Sequence, residues 1–142
     1  MSTRALIAKV DRNGQTTVIY SHSDGYPEYV GKVLANYYTD PDKVDALLAL
    51  GDISILGISP VDDPKMWDYS YEAPETPEGY YIRCRTYKGR GEDSPAAVFP
   101  SYKDAVENAG TQAFNYVYKN GIWYYGGGCW PDFSKNPRRV SK

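Results

Sequence analysis

One histidine, a run of alternating arginines and tyrosines, and a glycine-flanked arginine are the residues of this chain whose types and spacing could do chemistry. In Ser21-His22-Ser23-Asp24-Gly25-Tyr26-Pro27 a histidine stands two residues before an aspartate at a predicted strand end, where an imidazole base could be held by a carboxylate. The helix start at Pro27 would also welcome an anion. Asp24-Gly25 is equally ordinary turn chemistry, and a lone histidine is more often structural.

Tyr81, Arg83, Arg85 and Tyr87 fall on one face of a strand predicted over 80–87, opposite Tyr80, Ile82, Cys84 and Thr86. Guanidinium forks grip phosphates and phenol rings stack on bases, a combination used for nucleotides and single-stranded nucleic acid. Arg90 follows between Gly89 and Gly91, where backbone amides could approach a ligand and the guanidinium could grip an anion bidentately. Arg83, Arg85, Arg90, Tyr81, Tyr87 and His22 are therefore the candidate ligand-binding residues. The structural alternative is a salt-bridged turn, with Glu92 or Asp93 neutralising Arg83 or Arg85 and tyrosines packing across strands. A third group, Trp67, Tyr69 and Tyr71, lies in the acidic, proline-interrupted stretch Val61–Glu78. Loops of that length are often functional, so these aromatics are candidate partner-binding residues; the alternative is a solvated connector pinned by Trp67.

The catalogue of other chemistry is short. GxxxxGK[ST], GxSxG and HExxH are absent, and the triple glycine at 126–128 opens no predicted helix, so a dinucleotide site is not expected. His22 has no Cys or His neighbour, and Cys84 and Cys129 form no CxxC, so neither a metal centre nor a cofactor is expected. A disulfide between the two cysteines stays open. With no charged-then-apolar leader at the start, the expectation is reduced thiols in a cytoplasm. If the chain is an enzyme, His22 and Asp24 are its catalytic pair; a non-enzyme is the stronger expectation.

The chain has 142 residues and a net charge of −2, which suits one domain and disfavours a duplex-DNA binder. No apolar run is long enough for a membrane span. The near-neutral total hides an acidic stretch over 61–78, net −5, and a basic 79–142, net +5. Such asymmetry can steer an anionic partner. Fifteen tyrosines against three phenylalanines mean that most aromatic surface carries a hydroxyl, suited to a β-rich domain or to a binding face.

These residues need elements to hold them. Ala5–Val10 and Thr16–Tyr20 read as a hairpin turning at Asn13-Gly14. Residues 27–38 and 41–50 read as a helical hairpin, with Pro27 and Pro41 at the starts, Asp40 as cap and Gly51 as terminator. After the strand at 80–87 come a short helix from Ser101 and a hairpin over 114–125 turning at Asn120-Gly121. The expected fold class is α+β: a largely antiparallel sheet of about five strands, order ββααβαββ, with the helical hairpin and the short helix packed on one side. Residues 1–133 form the expected single domain, and 134–142 a basic C-terminal tail. Tyrosine-rich edges could also pair copies into a homo-oligomer.

His22-Ser23-Asp24-Gly25-Tyr26-Pro27, then Val30-Gly31, Leu34, Tyr38, Lys43-Val44, Leu47 and Gly51-Asp52-Ile53-Ser54, resemble a group of small phage and prophage proteins with a His-x-Asp-Gly-Tyr-Pro segment and a Leu-Gly-Asp-Ile-Ser segment. A looser match covers Arg90-Gly91-Glu92-Asp93, Tyr116-Val117-Tyr118 and Gly121-Ile122-Trp123-Tyr124. Where the group often has Arg-Asp-Arg-Gly-Glu-Asp, this chain has Lys88 and Gly89 in the first two places. The resemblance implies a viral or mobile-element origin and action in the host bacterial cytoplasm. Small phage proteins without catalytic motifs often antagonise bacterial immunity, so the expected function is a counter-defence binding protein that sequesters a nucleotide-like anionic signal. The alternatives are a stoichiometric protein–protein inhibitor of a defence effector, as anti-CRISPR proteins are, and a small hydrolase or nucleotide-modifying enzyme using His22 and Asp24.

Overall fold

Ala5-Leu6-Ile7-Ala8 is apolar at every position rather than at alternate ones, the pattern of a strand covered on both faces, and all four residues are buried. In the computed structural model, which describes residues 2–142, this strand, β1 (Ala5–Val10), lies in the middle of a mixed, mostly antiparallel sheet. It pairs antiparallel with β2 (Thr16–Ser21), Ala5 opposite Ser21 and Val10 opposite Thr16. On its other side it runs parallel to β6 (Phe114–Lys119). The chain is thus α+β as expected, but the described residues hold eight strands, not about five.

The chain turns after β2 and enters one π-helical turn, Pro27–Gly31, which runs into α1 (Lys32–Tyr37). Asp40 caps α2 (Pro41–Ala49) by accepting from the Asp42 N–H, and Gly51 ends it at a φ of +76°. Val30, Val33, Leu34, Val44, Leu47 and Leu48 from this helical hairpin pack on Ile7, Ile19, Tyr116, Tyr118 and Trp123. The short helix α3 (Tyr102–Asn108) covers the opposite face, with Ala105 and Trp130 against Leu6, Ala8, Val18 and Val117. Helices on one side only is therefore corrected: the sheet is clothed on both, as the unbroken apolar run in β1 requires.

Three strands lie outside the expected set: β3 (Ile53–Ile55), β5 (Ala97–Phe99) and β8 (Arg138–Arg139). β3 meets β2 in parallel at Ser21, while β5 takes the other end of the same β2 edge. The strand expected over 80–87 shrinks to β4 (Arg85–Thr86), beside β3. Beyond β6, the Asn120-Gly121 turn has φ values of +52° and +80° and leads into β7 (Ile122–Gly127). Gly126 and Gly127 belong to that strand, paired with Asn115 and Phe114, and Gly128 lies just beyond its end. Residues 134–142, expected as a tail, carry β8, which pairs with Tyr124 and Tyr125 on β7. The Asn13-Gly14 connection is a five-residue loop in which Asp11 N–H donates to Gln15 and Gly14 N–H to Asp11.

The many phenols have a structural use. Tyr29, Tyr38, Tyr116 and Tyr118 are buried, and their hydroxyls donate to the carbonyls of Leu56, Gly57, Gly25 and Thr39 at 2.7–2.8 Å. Each ring fills the helix-side core while its tip straps a loop that has no ladder of its own. No helix among the described residues is long and apolar enough to cross a membrane.

Candidate functional site

The His22 turn forms, and without a dyad. Asp24 takes a φ of +55°, and Gly25 follows because a Cβ there would come within 2.8 Å of Ala5 and the Thr3 carbonyl. The hydroxyl of Tyr20 and His22 Nδ1 are hydrogen-bonded at 2.7 Å, whereas Asp24 accepts from the hydroxyl of Tyr26 at 3.2 Å. Each member of the expected pair is thus held by a different tyrosine, and the two share no hydrogen bond among the described residues.

Two of the three arginines meet on one indole. Trp67 ends a 3-10 turn, Pro64–Trp67, that Asp63 caps through the Lys65 N–H; Met66 is buried and the Trp67 indole N–H donates to the Thr86 carbonyl at 2.9 Å. The Val61–Glu78 loop is thereby fastened to β4. The Arg85 guanidinium lies 4.1 Å from the centre of the Trp67 ring, and that of Arg90 lies 4.2 Å from it and 5.1 Å from the Tyr87 ring. Two residue groups that look separate in the sequence, the arginine strand and the acidic loop, thus form one stack.

Neutralisation differs from residue to residue. Arg83 leaves the stack for Asp63, Nη1 to Oδ2 at 3.4 Å, and that buried carboxylate also accepts from the Tyr71 hydroxyl at 3.0 Å. The bond to Asp63 raises the Tyr71 phenol above its ordinary range. Arg90 is paired with Glu92. Arg85 has no carboxylate among the described residues: Nε and Nη2 donate to the Ser54 hydroxyl at 3.2 and 2.8 Å, and Nη1 to the Met66 carbonyl at 3.3 Å. Partial burial holds its guanidinium below its ordinary pKa.

Tyr81 belongs elsewhere. Its N–H donates to the Tyr29 hydroxyl and its ring joins the helix-side core. The expected alternation fails because 81–84 is no regular strand. Its backbone crosses Gly57 so closely that a Cβ there would lie 2.2 Å from the Arg83 carbonyl oxygen. Gly89 is likewise a packing glycine: a Cβ would come within 2.8 Å of Asp62, and its N–H is already given to the Thr86 hydroxyl. Tyr69 is fully exposed two residues beyond Trp67.

The stack therefore unites Trp67, Arg85, Tyr87 and Arg90, with Tyr69 nearby, and leaves out Arg83, Tyr71, Tyr81, His22 and Asp24. Sequence reasoning missed Ser54 and Asp63, whose roles depend on strand neighbours distant in the chain. A hollow of about 420 Å³ lies beside the turn, between the end of α2 and residues 91–96, and none of the three arginines lines it. Both cysteines are free; Cys84 is buried in the helix-side core and Cys129 is exposed.

No protein-family model matches the chain, and neither a curated protein nor a solved structure is significantly similar to it.

Proposed function

We propose that the chain is a non-catalytic binding protein of the phage counter-defence kind, and that it disarms a bacterial defence effector by docking on it through the Trp67–Arg85–Arg90–Tyr87 ridge. One observation carries this reading: two guanidiniums and the Tyr87 phenol ring are already ordered around one half-buried indole. Tryptophan, tyrosine and arginine dominate the energetics of protein interfaces, and a stack assembled beforehand lowers the entropy lost on binding. Tyr69, fully exposed beside it, extends the face. The same crowding disfavours a nucleobase, because the indole face a base would need is occupied by the chain's own cations. The host bacterial cytoplasm is the proposed place of action.

A nucleotide-like anionic signal is the second reading, favoured by Arg85, whose charge is met by a hydroxyl and a carbonyl rather than by a carboxylate. The enzyme reading lacks its His22–Asp24 contact.

Co-expression with a candidate defence effector tests the proposal. The expected result is a stoichiometric complex that survives size exclusion and is lost in Trp67→Ala. A complex equally formed by that variant overturns the ridge as the docking face. Recovery of a cyclic dinucleotide or ADP-ribose-type signal from the heated protein, unchanged, would establish the second reading instead; recovery of an altered product would establish the enzyme.

A further inference from the structure

A group of cations without carboxylate partners lies at the opposite edge of the sheet from the ridge. From Lys119 to the C-terminus there are five basic residues and one acidic one, Asp132. Asp132 is turned into its own loop, accepting from the Ser134 N–H at 3.0 Å and the Ser134 hydroxyl at 2.6 Å. None of Lys119, Lys135, Arg138 and Arg139 forms an ion pair among the described residues.

The sheet builds a hollow there. Register places Val117, Tyr124 and Arg139 side by side across β6, β7 and β8, so that Tyr124 and Arg139 lie on the same face of the sheet as α3. Lys119 is two residues beyond Val117 on the same face, with Nζ 4.3 Å from the centre of the Phe133 ring, and Phe133 stands edge-on to Tyr124 at 5.1 Å. Between them is a hollow of about 250 Å³ lined by Lys119, Asn120, Tyr124, Phe133, Asn136 and Arg139, with Pro137 at its rim. No carboxylate lines it, and among the described residues the side chains of Lys119, Asn120, Tyr124, Asn136 and Arg139 make no hydrogen bond. Two cationic and three neutral hydrogen-bonding side chains thus line one space without a hydrogen-bond or carboxylate partner among the described residues.

We propose that this hollow binds a phosphate group, with Lys119 and Arg139 as the charged clamp and the Asn120 and Asn136 amides and the Tyr124 hydroxyl as neutral donors. Ammonium and guanidinium groups facing one anion give short, charge-assisted hydrogen bonds. Size limits the ligand: a space below the roughly 300–1,000 Å³ of a drug-sized site admits a phosphate with its nearest substituent, not a whole dinucleotide. The group belongs either to a small phosphate ester or to the backbone of single-stranded nucleic acid. The site is independent of the ridge and of any reading placed on it.

The test is a titration of the isotope-labelled full chain with inorganic phosphate, ionic strength held constant with chloride, followed through the backbone amides of Asn120, Asn136 and Arg139. Saturable shifts confined to this corner are expected. Lys119→Gln/Arg139→Gln should weaken binding about tenfold or more, the worth of a lost charge-assisted hydrogen bond. Arg85→Gln should leave it unchanged. Lys119→Gln alone, away from the β8 edge, gives the same direction if the double variant folds poorly. Shifts no larger than chloride produces, or wild-type affinity in Lys119→Gln, overturn the site. A short oligonucleotide that displaces phosphate at a tenfold lower concentration identifies nucleic-acid backbone as the source; displacement only at equal or higher concentration identifies a small ester.

Discussion

Trp67 holds the guanidinium of Arg85 at 4.1 Å from its ring centre while its indole N–H donates to the carbonyl of Thr86, the next residue along β4. The ring therefore fixes both the position of the acidic loop and the direction of the arginine. Cation–π contacts contribute about 0.5–2 kcal/mol depending on desolvation, and the indole hydrogen bond adds about 1 kcal/mol net.

Trp67→Ala is expected to destabilise the fold by about 2 kcal/mol, less than a fully buried tryptophan because the ring is half exposed. Trp67→Phe, which retains a stacking face and loses the donor, should cost about 1 kcal/mol. Chemical denaturation measures both. Equal losses would mean that the stack contributes nothing.

Asp63 and Arg83 should respond unequally. Asp63→Ala leaves the Lys65 N–H, the Tyr71 hydroxyl and the Arg83 guanidinium without their acceptor and is expected to cost about 2–3 kcal/mol, since unsatisfied groups at a buried position are expensive. Arg83→Ala removes a half-exposed partner and should cost under about 1 kcal/mol. Reversal of that order in denaturation midpoints would contradict the burial of the carboxylate.

Stability should be level near neutral pH and fall on the alkaline side. Burial pushes the Cys84 thiol up to about 11 from 9.0 and raises the phenols of Tyr29, Tyr38 and Tyr116 above theirs. An acid whose folded pKa is raised keeps its proton more firmly in the folded state. Its stabilisation is full below the unfolded pKa and drains as pH climbs toward the folded one. Midpoints should therefore drop above about pH 9, and tyrosinate absorbance should rise in two phases, the second coinciding with unfolding. In the native protein a thiol reagent should label Cys129 alone, with Cys84 reacting only in denaturant. Two equally fast thiols would refute the placement of Cys84.

Neighbouring glycines separate packing from permissiveness. A Cβ on Gly126 would lie 2.3 Å from the Cys129 carbonyl oxygen, whereas one on Gly127 meets nothing closer than 4.0 Å. Gly126→Ala should cost about 1–3 kcal/mol, as overpacking does, and Gly127→Ala should be nearly neutral in thermal unfolding.

Local signals were legible where a few residues decide the outcome. Asn120-Gly121 specifies its turn because both positions adopt positive φ, and Asp40-Pro41 with Gly51 delimits α2. What the sequence hides is pairing between distant short pieces. β3, β5 and β8 have two or three residues each, too few for periodicity to register, and they exist because β2 and β7 offer open edges. Tyr80–Tyr87 has a strand's alternation, yet Gly57 and Asp63 draw its first half into other contacts. The candidate site suffered likewise. Arg85 and Trp67 were each visible as candidates, but only the 3-10 turn at Pro64 brings them together, and only β3 supplies the Ser54 hydroxyl. The tyrosine excess suited a β-rich domain or a binding face, and several of the phenols are core residues with tethered tips.

Plating of defence-restricted phage tests the docking ridge most directly, using strains that each carry one defence system and express the wild-type chain, Trp67→Ala/Arg85→Ala or His22→Ala. Wild type and His22→Ala should restore plaques in the same strain, while the double ridge variant, folded by circular dichroism, should not. Full restoration by the ridge variant, or its loss in His22→Ala, would contradict docking through the Trp67–Arg85 stack.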